Sequence, residues 1–184
     1  MGDDVVDLIM SDHRELERLF DTLENEPDKR AALLPVMTTL LTAHSRAEES
    51  EVYPAAREAG GEDDVQHSQQ EHLLADQLAE KLAATDPDSD AFPAALKELV
   101  DAVKHHVEEE ETTVLPGMRE RLDDARRAEL GQAFLSAREE HLGQQPGEVS
   151  KAELNQQAAN AGISGASSMS KSELKSELED AAEE

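Results

Sequence analysis

Apolar side chains recur along this chain at the three-to-four-residue interval of an amphipathic helix, in four successive stretches. Val5, Ile9, Leu16, Phe20 and Leu23 share one face of the first, which Asp3 or Asp4 can cap, and His13 falls on that face too. Glu26-Pro27-Asp28 interrupts it, and Asp28 is placed to start a second helix with the inward stripe Leu33, Met37, Leu40, Leu41, His44, Glu48 and Val52. Gly60-Gly61 ends that segment. A third helix carries Leu74, Ala75, Leu78, Ala79 and Leu82 with His72 beside them, and Thr85 to Asp90 reads as a loop and cap. The fourth presents Leu96, Leu99, Val100, Val103, Val107 and Val114 on the face that also takes His106 and Glu110. Four helices of matching length joined by short loops predict an all-α fold, an up-down-up-down four-helix bundle. Pro54 and Pro116 fall inside the second and fourth patterns, where each removes a backbone donor and should kink or break the helix. Residues 124–142 predict a fifth helix packed on the bundle, with Leu130, Phe134, Ala137 and His141 inward.

After Gly143 the composition shifts, which divides the chain into a bundle with its fifth helix, residues 1–145, and a linker with a small helical tail, residues 146–184. Ser150-Lys-Ala-Glu-Leu154 and Ser170-Lys-Ser-Glu-Leu174 repeat one unit, with Ser where a helix cap belongs and Glu at the third helical position. The tail therefore reads as two short tethered helices. It resembles the small helix-extended-helix units of the SAP and Rho N-terminal type, which in other proteins touch nucleic acid. Here the acids Glu148, Glu153, Glu173, Glu177, Glu179, Asp180, Glu183 and Glu184 outnumber Lys151, Lys171 and Lys175, so the basic face such a unit would use is missing. A solubility or docking appendage is the expectation.

A chain of 184 residues is one domain of usual size with room for an appendage. Its formal net charge of -26 argues against nucleic-acid phosphate or anionic membrane as partners, because both would be repelled. With no cysteine, disulfides, thiolate metal sites, iron–sulfur clusters and thiol catalysis are excluded. No signal-like N-terminus and no long apolar run occur, so a soluble cytoplasmic protein is expected. Phe20, Tyr53, Phe92 and Phe134 are the whole aromatic set, which disfavours base-stacking surfaces and a sheet-rich core. The carboxylate excess fits a high-salt cytoplasm or an ordinary solvated surface equally well.

The chemistry lies in the polar residues that interrupt the apolar stripes. His44 precedes Glu48 by four residues and Pro54 by ten, and His106 stands in the same relation to Glu110 and Pro116. A His and a Glu four apart share a helix face. One further histidine precedes each module, His13 by 31 positions and His72 by 34. A lone inward histidine is usually a satisfied core residue, but an unpaired carboxylate in a core is costly, so Glu48 and Glu110 call for a cation. Four imidazoles and two carboxylates are what a two-metal site in a helical bundle needs. Mixed nitrogen and oxygen donors without thiolate suit Fe or Mn, with Zn admissible. His105 and Glu109 repeat the spacing one residue earlier, yet Val103, Val107 and Val114 bracket positions 106 and 110 instead. The other acids of Glu108 to Glu111 read as a solvated face, and His141 as packing.

These residues resemble the hemerythrin-like, or HHE cation-binding, domain, whose members are four-helix bundles holding a non-haem di-iron centre. The resemblance runs from about residue 5 to 120 through His44...Glu48...Pro54 and His106...Glu110...Pro116, completed by His13 and His72. It implies that His13 and His44 bind one iron, His72 and His106 the other, and that Glu48, Glu110 and an oxo or hydroxo group bridge them. Respiratory hemerythrins carry a second histidine on the third helix four residues from the first; here Ser68 and Asp76 stand at those positions. His67 lies five residues from His72, turned by about 140° on an ideal helix, and is a weak substitute. Tyr53 could reach the site as a ligand or hydrogen-bond donor, and Asp76 as a ligand or as a support for one. The resemblance implies binding or sensing of O2, peroxide or NO in oxidative or nitrosative stress. Its alternatives are a catalase-like or NO-reducing enzyme, and an iron donor or store; relatives of the last kind usually carry a cysteine-bearing N-terminal extension, which this chain lacks.

Overall fold

The computed structural model describes residues 3–183, and among them it holds helices and turns but no strand. The helices are α1 (Val5–Asn25), α2 (Arg30–Ala47), α3 (Tyr53–Glu58), α4 (Glu62–Ala83), α5 (Phe92–Thr112), α6 (Val114–Arg121), α7 (Asp124–His141), α8 (Lys151–Asn160) and α9 (Lys171–Ala181). None of the described helices is long and apolar enough to cross a membrane. Asp4 caps α1 by accepting from the Val6 N–H at 2.9 Å. Asp28 does not start α2: it sits in a 3-10 turn over Pro27–Lys29, because Pro27 favours a tight first turn, and the α-helix begins at Arg30.

Both proline-marked segments break, each in its own way. Ahead of Pro54 the chain widens into a π-helical turn over Glu48–Val52, and the Tyr53 N–H reaches back five residues to the Glu48 carbonyl. A proline ring cannot donate and clashes with the carbonyl four residues earlier, so the extra residue relieves the fourth-residue register. Pro116 lies in α6, and the break falls at Thr113, whose φ of -121° and ψ of -71° leave the helical region.

Helix α1 packs against α2, α5 and α7, and α4 against α5 and α2. Their apolar faces form two cores. One gathers Leu16, Leu23, Met37, Leu41, Leu82, Leu96 and Val103; the other gathers Val5, Ile9, Val52, Tyr53, Val65, Leu115, Leu130 and Phe134. The boundary between them crosses three helices at a histidine, His13 between Ile9 and Leu16, His44 between Leu41 and Ala47, and His72 between Val65 and Ala75, and on α5 it falls just past His106, after Val107 and before Val114 of α6. A buried polar layer thus separates two hydrophobic ones. Helix α7 covers α1 and α2, and Gly131 lets it approach closely, since a Cβ there would stand 2.1 Å from the Asp3 carbonyl oxygen.

The sequence pattern is corrected at two places. On α4 it is Leu73 that is buried, while Leu74 is exposed. Leu73 faces the tail, where it joins Leu154, Ala158, Ala166, Leu174 and Leu178 in a third apolar cluster. The tail is therefore docked and not merely tethered: α8 contacts α3, α4 and the π-turn, and α9 contacts α4. Its two Ser-Lys-x-Glu-Leu units do form the expected capping boxes, at Ser150 with Glu153 and at Ser170 with Glu173.

Candidate metal centre

The structure brings His13, His44, Glu48, His72, His106 and Glu110 into one cluster, one histidine from each of α1, α2, α4 and α5, each at most 5% exposed. The rings pair: His13 and His44 centroids lie 5.1 Å apart, those of His72 and His106 4.5 Å apart. Each glutamate spans the two pairs. Glu48 Oε2 is 3.3 Å from both His44 Nε2 and His72 Nε2, and Glu110 Oε2 is 3.3 Å from His13 Nε2 and 4.0 Å from His106 Nε2. Helical spacing sets the first member of each contact, His44 with Glu48 and His106 with Glu110; packing of different helices sets the second.

Most of the ligating atoms facing inward lack ordinary partners, the exceptions being His72 Nε2 and His106 Nε2, which lie 3.0 Å from each other. Among the described residues, His13 Nε2, His44 Nε2 and both oxygens of Glu48 and Glu110 are buried without a hydrogen bond. Buried polar atoms are almost always paired, so six such atoms converging on one spot fit a cation better than any rearrangement of protein groups. Two triads have ligating atoms close enough to hold an ion, His13 with His44 and Glu48, and Glu48 with His72 and His106.

The outer nitrogens are fully supplied, and the sequence reading missed how. His13 Nδ1 donates to Glu111 at 2.9 Å, His44 Nδ1 to Asp12 at 3.2 Å, His72 Nδ1 to Glu49 at 3.3 Å and His106 Nδ1 to Glu71 at 3.0 Å. A carboxylate on Nδ1 fixes the ring orientation and leaves the Nε2 lone pair inward, the tautomer a metal requires. The signal was present in the repeat: Asp12 and Glu71 immediately precede the lone histidines, and Glu49 and Glu111 immediately follow the paired glutamates. Each supports a histidine of another helix, so the roles emerge only once the helices are packed. Glu111 is thus no part of a solvated face, being half-buried against His13, whereas Glu108 is exposed.

Around this layer lies a further set of charges. Arg46, 2% exposed, donates to Glu49 at 2.9 Å and to Asp76 at 2.9 Å. Asp76 is therefore an ion-pair partner of Arg46 and stands outside the histidine cluster. Gln69 and Gln157 also donate to Glu49, at 2.9 Å and 3.2 Å, and Asn160 donates to the Glu49 carbonyl at 2.9 Å. The tail supplies two of these donors. Tyr53, fully buried, places Oη 2.9 Å from His72 Nε2, inside the cluster. His67 is 55% exposed and pairs with Glu109 at 2.7 Å, so the structure does not bring it to the site. His105 is likewise exposed, and half-buried His141 bonds Gln144.

The electrostatics follow from this packing. Burial alone would lower the His13 and His72 pKa values, but Glu110, Glu48 and Glu111 around the first and Glu48 and Glu49 around the second outweigh it, raising them to about 9 and about 10. Burial would raise Glu110, yet His13, His106 and His72 hold it at about 2. Burial and the nearby Glu110, Glu48 and Glu49 charges push the Tyr53 hydroxyl well above its usual range. Beside the histidines, Leu16, Leu41, Ala75, Val103 and Val107 line a cavity of about 10 Å³, the size of a single water.

A buried, histidine- and glutamate-lined cluster between helices defines a cation-binding helical protein, and comparison with known proteins gives the family. The hemerythrin HHE cation-binding domain matches residues 4–117, and the chain belongs to that family. It is 31% identical over 136 residues to a DNA nickase of Nostoc sp., a match that takes in 73% of this chain and 39% of the nickase. It is 25% identical over 135 residues to an uncharacterized hemerythrin-like protein of Schizosaccharomyces pombe, spanning 71% of this chain and 66% of the yeast protein. The chain thus covers less than two thirds of either relative. No solved structure matches it.

Proposed function

We propose that this is a non-haem di-iron protein that binds or senses O2, peroxide or NO under oxidative or nitrosative stress. The observation that carries it is the convergence of unpartnered buried donors, His13 and His44 Nε2 with the Glu48 and Glu110 oxygens, on the line between two histidine pairs. We read α1, α2, α4 and α5 as the up-down-up-down bundle and α7 as its fifth helix. His13 and His44 would hold one ion and His72 and His106 the other, with Glu48 and Glu110 shared. Iron is favoured by imidazole and carboxylate donors without thiolate, and Mn or Zn are the rivals. Bound there, a pair of irons would supply redox electrons and an open position for a small diatomic or peroxide.

The chain's own residues set the terms. Asp12, Glu49, Glu71 and Glu111 hold the imidazoles by Nδ1, so Nε2 is free to ligate without reorganisation. Tyr53 keeps its proton, and its hydroxyl beside His72 Nε2 can donate to whatever small molecule enters. Aliphatic walls and the small cavity exclude bulk water and any large substrate. With Ser68 and Asp76 where a further histidine would stand, we infer a more open site, which keeps peroxide decomposition or NO reduction as the alternative, with iron donation or storage behind them. A cytoplasmic location belongs to the same proposal. Strand nicking is not carried over from the Nostoc relative: this chain spans 39% of that protein, and a net charge of -26 opposes a polyanion.

The test is metal analysis and absorption spectroscopy of the purified protein. About two irons per chain with oxo-to-iron charge-transfer bands are expected; one zinc and no such bands would remove the proposal.

A further inference from the structure

A second set of histidines and glutamates lies on the outer face shared by α4 and α5. His67 and Glu71 are four residues apart on α4, and His105 and Glu109 four apart on α5, so each pair projects from one side of its helix. The pairs interlock. His67 Nε2 is 2.7 Å from Glu109 Oε2 and 3.6 Å from Glu71 Oε1; His105 Nε2 is 3.4 Å from Glu71 Oε1 and 3.4 Å from Glu109 Oε1. Each ring addresses the same two carboxylates, one from each helix.

We propose that His67, Glu71, His105 and Glu109 form a separate surface site for one first-row divalent cation of the Zn(II), Co(II) or Ni(II) type. His67, Glu71 and Glu109 offer ligand atoms that all lie within 4.8 Å of one another, and the exposed His105, with Nε2 3.4 Å from an oxygen of each carboxylate, swings in as the fourth donor of a tetrahedral ion. Glu71 supplies the second observation. Its Oε1 is buried and makes no hydrogen bond, although it faces both rings, while its Oε2 is already committed to His106 Nδ1 at 3.0 Å. An acceptor left open between two imidazole nitrogens is completed by an ion. Two imidazoles select a first-row transition metal over Mg(II) or Ca(II), which take oxygen ligands. His67 and His105 are 55% and 62% exposed, so an ion enters from solvent without opening the bundle. The site shares no ligand with the buried cluster, and Glu71 joins the two by giving Oε2 to His106 Nδ1 and Oε1 to the outer face.

The experiment uses the full-length protein as purified, with its buried centre loaded, titrated with Co(II) under calorimetry and visible absorption in excess Mg(II). One further equivalent with tetrahedral d–d bands is expected, weakened at least about tenfold by His67→Ala or by His105→Ala, while the metal of the buried centre is unchanged. No further equivalent, or one that persists in the His67→Ala/His105→Ala variant and so belongs to the acidic surface at large, would overturn the proposal. A buried centre without iron beside an outer equivalent lost in those variants would leave this inference standing and remove only the di-iron reading.

Discussion

Truncation after Gln145 should weaken the bundle itself. The segment removed contributes Gln157, whose amide donates to the buried carboxylate of Glu49 at 3.2 Å, and Asn160, whose amide donates to the Glu49 carbonyl at 2.9 Å and to Gln69 at 3.0 Å. Gln157 and Asn160 are each 1% exposed, and Glu49 in turn holds His72 Nδ1. A bond to a charged acceptor contributes ~1.5–3 kcal/mol and each neutral one ~0.5–1.5 kcal/mol. Water replaces part of this once the face is opened, and Leu73 loses its apolar cover. We therefore expect a net loss of about 2–4 kcal/mol, a fall in Tm of roughly 5–15 °C for a chain of this size. The assay is calorimetric melting of full-length and truncated protein at matched metal content. Gln157→Ala and Asn160→Ala in the intact chain should each reproduce a part of the loss. A truncated protein that melts within about 2 °C of the parent would show that the docked tail adds nothing to the site, refuting the reasoning.

His44→Ala and His106→Ala should each abolish metal at the buried centre, while His105→Ala and His141→Ala leave it intact by metal analysis; retention in the His106 variant with loss in the His105 variant would reverse the register. In the metal-free protein His13 and His72 have folded-state values of about 9 and about 10, above the unfolded value of 6.5, so their stabilisation is complete below 6.5 and is lost as pH rises through 9 to 10. Glu110, held at about 2 from 4.5, contributes above 4.5 and is lost as pH falls through 2; denaturation of metal-free protein should thus show maximal stability from this cluster between about 4.5 and 6.5, and a flat profile would count against it. Because those histidines are protonated at neutral pH without metal, loading should release protons, measurable as a buffer-dependent binding enthalpy. The reduced protein should autoxidise quickly in O2 and consume peroxide, and Ser68→His, at a buried position one turn before His72, should slow both in stopped-flow and oxygen-evolution measurements; a long-lived reversible oxygenated state in the parent would favour the carrier reading.

Much of this site could be read along the chain because helical periodicity is local. Residues three and four apart share a face whatever surrounds the helix, so His44 with Glu48 and His106 with Glu110 declared themselves, and the apolar neighbours placed both inward. Proline chemistry is equally local, and both breaks fell beside Pro54 and Pro116. Contacts between helices are not local: they depend on which elements adjoin and on their rotation. Only packing showed that Asp12 serves His44, Glu71 serves His106, Glu49 serves His72 and Glu111 serves His13. Packing also took His67 and Asp76 away from the centre, brought Tyr53 to it, and set His67 and Glu71 against His105 and Glu109. The tail was the least legible part, since Gln157 and Asn160 are polar and read as solvent-facing from sequence. A buried carboxylate from another helix, Glu49, gives those amides a partner, and neither its burial nor its position is encoded near them in the chain.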